Sequence, residues 1–220
     1  MTTREITIRD GEEALLGDLV VPEKAKGLLV FVHGSGSSRQ SPRNRHVAER
    51  LQEAGFATLL MDLLSAREEA ADVRGATHRF DVARLARRLD VVVQQLDDVA
   101  EVADLPLGLF GASTGAAAAL AFAARASRRV RACVSRGGRP DLAQDVLSDV
   151  RCPTLLIVGG NDHVVIELNE GALAHLRCEA EMSIIPDAGH LFEEPGALDA
   201  VAEQANAWFD RHVHRNALDA

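Results

Sequence analysis

Apolar positions along this chain fall into two alternating patterns. Gly27 to Val32, Leu107 to Phe110 and Pro153 to Val158 are near-continuous apolar runs, as expected of strands buried on both faces of a sheet. Ala57 to Met61, Val130 to Ser135 and Met182 to Ile185 predict further strands. Between these runs apolar residues recur at helical spacing. One such set is Val47, Leu51 and Ala54, stopped by Gly55; a second is Val82, Leu85, Leu89, Val92 and Leu96 within Asp81 to Val102. The alanine-rich stretch after Gly115, the segment Ile166 to Leu176, and Val201, Ala205, Trp208 and Phe209 give three more. Glu5 to Ile8 alternates polar and apolar, and Leu15 to Val21 follows before Pro22, so the N-terminal part reads as an antiparallel edge. Strand and helix alternating in this way predict an α/β fold with one mostly parallel, doubly wound sheet of about eight strands. Such sheets bind ligands at the carboxyl ends of their strands. That makes the loops after Val32, Phe110, Val158 and Ile185 the places to look for chemistry.

Composition narrows the picture. With 220 residues and 47% hydrophobic content the chain can bury a substantial core, and it is expected to form a single domain over residues 1–220. No internal repeat, low-complexity tract or Pro/Gly/Ser-rich linker marks a boundary. A net charge of −9 argues against nucleic acid or an anionic membrane as partner, so a small-molecule partner is expected, with monomer or homo-oligomer left open. The first ten residues have no apolar core of a secretory signal, and the longest apolar stretch, Gly115 to Ala124, is about half of what spans a bilayer. Cys133, Cys152 and Cys178 contain no C-x-x-C pair and are odd in number. Free thiols in a reducing cytoplasm are the expectation.

The loop after Phe110 carries the strongest signal. Gly111-Ala-Ser-Thr-Gly115 fits G-x-S-x-G, and it lies between a predicted strand and a predicted helix, the context in which that motif lifts a serine above the sheet on a strained turn. Taken alone, the same residues also describe a plain Gly-Ser-Gly turn. Two later loops complete a constellation. Gly159-Gly-Asn-Asp162 places a carboxylate just past one strand, and Pro186-Asp-Ala-Gly-His190 places an imidazole just past the next. A serine hydroxyl needs an imidazole to take its proton, and the imidazole needs a carboxylate to fix its tautomer. The order Ser113, Asp162, His190 is the order of α/β-hydrolases. Asp141 competes as the acid, and Asp162 as a mere turn cap is the alternative to its catalytic role; His163 competes with His190.

Acyl transfer also requires amides that face the developing oxyanion. The backbone N–H of Thr114 is expected to be one, and that of Ser35, in the His33-Gly34-Ser35-Gly36 loop, the other. A plain strand-ending turn competes for that loop. Position 39 is Arg39, not glycine, so the loop is no dinucleotide fingerprint, and neither G-K-[ST] nor H-E-x-x-H occurs. No cofactor and no metal are expected. His46, His78, His175, His212 and His214 read as solvated helix residues.

At this point the sequence resembles the α/β-hydrolase superfamily, and within it the small dienelactone-hydrolase-like proteins. The stretches that carry the resemblance are HGSGSSRQSPRNR from His33, GLFGASTGAAAAL from Gly108, SRGGRPDL from Ser135, LLIVGGNDHVV from Leu155 and AGHLFEEPG from Ala188. The resemblance implies an α/β-hydrolase fold and hydrolase activity. Dienelactone hydrolases are known for a cysteine nucleophile where this chain has Ser113, a departure that favours a serine carboxylesterase for small esters or lactones over lactone cleavage in aromatic catabolism. Thioesterase, amidase or acyltransferase chemistry on the same triad, and a non-catalytic binding scaffold, are the competing functions. Relatives fused to a phosphoribosyltransferase domain exist, and this chain is expected to carry none. The connection between Ser135 and Pro153 is too short for a large lid, which predicts an open pocket. Arginines gather near its rim: Arg39, Arg43, Arg45, Arg136 and Arg139. Gly34, Arg136 and Arg139 are candidates for substrate binding through a carboxylate clamp, against the favoured alternative that the arginines pair with the chain's own Asp and Glu.

Overall fold

The computed structural model describes residues 1–213 except Ala76 and Ser127, without the side chain of Arg74. His214 lies outside the described residues. Eight strands form one sheet in the order β1-β2-β4-β3-β5-β6-β7-β8. They are β1 (Thr2–Asp10), β2 (Glu13–Val21), β3 (Leu28–Val32), β4 (Ala57–Met61), β5 (Leu107–Ala112), β6 (Val130–Arg136), β7 (Thr154–Gly159) and β8 (Ala180–Ile185). β1 and β2 form an antiparallel hairpin, and β2 pairs antiparallel with β4; every other pairing is parallel. Among the described residues six α-helices connect or flank them: α1 (Pro42–Glu53), α2 (Ala66–Gly75), α3 (Val82–Leu96), α4 (Thr114–Arg125), α5 (His163–His175) and α6 (Ala197–His212). No helix among the described residues is long and apolar enough to cross a membrane.

Alternation along each central strand divides the core. Leu28, Val30 and Val32 of β3 pack with Leu85, Leu89 and Leu96 of α3 and Leu120 of α4. Leu29 and Phe31 point the other way, onto Val47 and Leu51 of α1 and Trp208 and Phe209 of α6. Both faces of β3 and β5 are thereby covered, which is why their sequences are almost wholly apolar. From β3 the chain crosses to β4 on one side, then returns to place β5 on the other. The crevice outside the carboxyl ends of β3 and β5 is therefore the switch point at which doubly wound sheets bind ligands.

Four of the differences from expectation concern helical segments. The helix expected over Asp81 to Val102 is capped by Asp81, whose side chain accepts from the Arg84 amide, and ends at Leu96, where Asp97 and Asp98 begin a series of turns. α5 begins at His163, directly after Asp162, rather than at Ile166. A 3₁₀ segment over Pro140–Asp149, kinked at Ala143, fills the connection between β6 and β7 and packs on α4 and α5. α2 is unforeseen by apolar spacing, because Ala66-Arg-Glu-Glu-Ala-Ala-Asp-Val-Arg-Gly75 offers almost no apolar stripe.

What holds α2 is polar. The Ser65 amide donates to Glu68 Oε2 at 2.8 Å and the Glu68 amide donates to Ser65 Oγ at 3.2 Å, a reciprocal capping box. The same Glu68 carboxylate receives both terminal nitrogens of Arg88 at 2.7 and 3.0 Å, and Arg88 also reaches Asp10 and the Leu63 carbonyl. Both side chains of the pair are more than nine-tenths buried. Burial pushes the Glu68 carboxyl up, but hydrogen bonds from Arg88 and the Ser65 amide, with the charges of Arg88 and Arg84, outweigh it and bring it down to about 2. Because the folded value lies below the unfolded one of 4.5, this stabilisation is present above pH 4.5 and is lost as the pH falls towards 2. Removing one partner strands the other charge in the interior. Glu68→Ala is expected to cost about 3–5 kcal/mol in urea unfolding at neutral pH, and to flatten the acid limb of the stability profile between those pH values. An unchanged acid limb in the variant would show that the pair does not set it.

Candidate active site

Ser113 stands at the turn between β5 and α4 with φ 52° and ψ −125°, a backbone region that costs a non-glycine residue about 1–3 kcal/mol. The turn is held from both sides. The Ser113 amide donates to the Arg136 carbonyl at 3.2 Å, and the Ser113 carbonyl accepts from the amides of Ala116 and Arg139 at 3.1 and 3.0 Å. Glycines flank it because neighbouring backbone leaves no space. A Cβ at Gly111 would lie 2.5 Å from Ala116 Cα, and one at Gly34 would lie 2.9 Å from Ser113 Cβ.

The acid and histidine loops are stitched together. The amides of Gly160 and Asn161 donate to the carbonyls of Ile185 and Ala188 at 2.8 and 2.9 Å, and Asn161 Nδ2 donates to the Asp187 carbonyl at 2.7 Å. This lattice brings His190 Nδ1 to 2.6 Å from Asp162 Oδ2. An ionised carboxylate only accepts, so Nδ1 carries the proton and Nε2 is left as an acceptor. Asp162 is largely covered, and the His190 ring is 40% exposed. Ser113 and His190 line one cavity of about 270 Å³ together with Gly34, Ser35, Arg136 and Gly137. The rival acid, Asp141, is engaged elsewhere: it receives Arg139 through two bonds of 2.8 Å. His163 is the exposed first residue of α5.

The oxyanion loop departs from expectation in one respect. The Ser35 amide is not open: it donates to Thr114 Oγ1 at 2.8 Å. The Thr114 amide occupies the first position of α4, where a helix offers its N–H no internal acceptor. His33 fixes this loop in a way the sequence did not reveal. Its buried ring has Nδ1 2.9 Å from the Gly34 carbonyl, and its Nε2 accepts from the Leu63 amide at 3.0 Å. Those two partners select the neutral Nδ1–H tautomer, and burial lowers its pKa accordingly.

The rim arginines separate into two groups. Arg39 binds Asp18, Asp62 and Glu5, Arg45 binds Asp18, and Arg139 is turned to Asp141 rather than to the Ser113 cavity. The structure therefore does not bring Arg139 to the cavity that Ser113 and His190 share, contrary to expectation. Arg136 and Arg43 do line the cavity. Beyond them a larger cleft of about 600 Å³ continues along the same loop to Glu69 and Val73 of α2, and to Arg79, so the unexpected helix supplies a wall. Other histidines depart from the solvated-helix reading too. His78 lies in a turn, near Arg84, and the His212 ring packs 4.5 Å from Trp208. Half-buried His46 and exposed His175 stay on helices, beside Asp199 and the Gly171 carbonyl respectively.

Comparison with known proteins agrees with this architecture. Residues 14–214 match the profile of the dienelactone hydrolase family. A crystal structure of a dienelactone hydrolase from Anabaena variabilis superposes with a TM-score of 0.92 at 51% identity, covering 97% of this chain and 99% of that one. Est1E from Butyrivibrio proteoclasticus, at 16% identity, shares the fold with a TM-score of 0.79 over 94% of this chain and 98% of its own. Curated relatives from two strains of Mycobacterium tuberculosis, provisionally named phosphoribosyl transferases, are 53% identical over 209 residues, 95% of this chain. The chain spans about half the length of these relatives, 46%. By fold and by family match, the chain is an α/β-hydrolase that belongs to the dienelactone hydrolase family.

Proposed function

We propose that the protein is a serine hydrolase that cleaves small carboxylic esters or lactones through an acyl-enzyme on Ser113. The observation that carries this reading is that Ser113, on its strained turn, and His190, bonded to Asp162, line the same cavity. His190 Nε2 takes the Ser113 proton as Oγ attacks the carbonyl carbon, and Asp162 stabilises the imidazolium that results. The negative charge on the former carbonyl oxygen is met by the Thr114 amide at the positive end of α4. The Ser35 amide joins it by exchanging the Thr114 hydroxyl for the oxyanion. The alcohol leaves with the proton held on His190, and water repeats the sequence to release the acid. The name of the Mycobacterium tuberculosis relatives refers to proteins more than twice as long as the match, and phosphoribosyl transfer is not part of this reading.

A fluorophosphonate probe tests the nucleophile, and a panel of p-nitrophenyl esters and simple lactones of graded size tests the substrate class. Stoichiometric labelling with turnover of the smaller members is expected; absence of labelling would remove the hydrolase reading. The cysteines supply a separate check. Cys133 and Cys152 are buried, and a hydrogen bond with Cys152, together with burial, holds the Cys133 thiol above its ordinary range. Burial likewise raises the half-covered Cys178. Alkylation needs an accessible thiolate, which buried Cys133 and Cys152 and half-covered Cys178 do not offer, so iodoacetamide should leave initial ester turnover intact. Rapid inactivation prevented by substrate would return the chemistry to a cysteine.

A further inference from the structure

One charge in the Ser113 cavity has no carboxylate partner among the described residues. Arg136, the last residue of β6, is 7% exposed, yet it forms no ion pair with a described residue. Nη2 donates to Asn44 Oδ1 at 3.1 Å, the guanidinium lies 5.7 Å from the centre of the Phe192 ring, and Nε is buried with no acceptor. The chain has 33 acidic residues against 24 basic ones, and it gives carboxylates to its other deeply placed guanidiniums. Arg88 has Glu68 and Asp10, and Arg39 has three partners. A second guanidinium sharpens the contrast. Arg43 lines the same cavity, its Nε is likewise buried without an acceptor, and its one carboxylate contact is Glu193 Oε1 at 3.3 Å, a side chain 68% exposed. Burial, and then the like charge of Arg43, lower the Arg136 pKa to about 10, so it stays protonated at neutral pH with nothing to balance it.

The N-terminus of α1 reaches the same wall. Ser41 is its N-cap, Pro42 opens it, and Ser41, Arg43 and Asn44 all border the cavity. A helix start directs amides and the positive end of its dipole at a ligand. An uncompensated buried charge is costly, and here Arg136 is one, beside a partly exposed Arg43 whose carboxylate contact is the exposed Glu193. A carboxylate would neutralise one guanidinium. A phosphomonoester carries about −1.5 to −2 at pH 7 and three acceptor oxygens, which suits two forked donors and a helix start.

We propose that Arg136, Arg43 and the start of α1 form an anion subsite that holds a phosphomonoester group of the substrate, so that the esters or lactones cleaved at Ser113 are phosphorylated ones. This rests on the reading of Ser113 as the nucleophile, and the test keeps the two apart. Inorganic phosphate is titrated calorimetrically into the full chain carrying Ser113→Ala, in phosphate-free buffer at low salt, with acetate as the singly charged control. Phosphate is expected to bind, with acetate at least about tenfold weaker, and Arg136→Gln in the same background is expected to weaken phosphate by about ten- to a hundredfold. Arg136→Gln is also expected to raise the melting temperature without phosphate, since it removes an unbalanced buried charge; an arginine that served only the fold would lower it. Arg43→Gln gives an independent second variant, with phosphate weakened in the same direction. Absence of phosphate binding, equal binding of acetate, or affinity unchanged in both arginine variants would overturn the subsite, whatever fluorophosphonate labelling of the native chain shows. Phosphate binding without such labelling would leave the subsite standing and remove the nucleophile.

Discussion

Ser113→Ala is expected to lower kcat for ester hydrolysis by about 10⁴–10⁶ and to abolish fluorophosphonate labelling, while far-UV circular dichroism and the melting temperature stay at or above those of the native chain. The two halves of this expectation have separate physical causes. Oγ is the atom that bonds to the substrate in the proposed reaction, so no neighbour replaces it. The side chain contributes little to the fold: Ser113 is partly exposed and its turn is held by backbone hydrogen bonds. His190→Ala should cost a comparable factor. Asp162→Ala should cost less, because the imidazole remains present and loses only the partner that orients it. A Ser113→Ala protein that kept more than a few per cent of the turnover would show that another group attacks.

Gly115→Ala is expected to have the largest effect on stability. A Cβ at this position would lie 2.1 Å from the Val32 carbonyl oxygen and 2.3 Å from that of His33. Both atoms are backbone, at the end of the strand that carries the oxyanion loop, so no side chain can turn aside. Relief requires α4 to move away from β3 across the middle of the core, and a loss of about 4 kcal/mol or more follows. Gly171→Ala is the control with the opposite sign. It lies within α5 with open space where a Cβ would sit, and alanine in an exposed helix should stabilise by about 0.5–1 kcal/mol. Urea unfolding of the two variants reads both signs. Similar small effects would show that contact with β3 does not constrain Gly115.

The readability of these features in the sequence followed how local their causes are. The strands of the central sheet declare themselves because burial on both faces leaves no room for polar residues, as in Leu28 to Val32. The loops of Ser113, Asp162 and His190 are short motifs next to such strands, and their juxtaposition follows from the parallel register of β5, β6, β7 and β8. α2 has no apolar periodicity to betray it, whereas its anchor is the pair Ser65 and Glu68, a capping box visible in the sequence. The 3₁₀ segment after Arg139 has no 3.6-residue pattern to find. Neither the diversion of the Ser35 amide to Thr114 nor the solitude of Arg136 is local. The first joins residues 79 positions apart, and the second depends on Asn44 and Phe192 enclosing a strand-end arginine that would otherwise face solvent.

The exposure of His190 has a consequence for which acceptor receives the acyl group. With two-fifths of the His190 side chain open to solvent and a compact 3₁₀ segment connecting β6 and β7, nothing among the described residues closes over the Ser113–His190 cavity. Partitioning of the proposed intermediate would then follow concentration, with water favoured over any alcohol or amine that lacks a binding site of its own. In the reaction proposed for Ser113, an open imidazole favours hydrolysis, and transfer to another acceptor would call for a cover over His190.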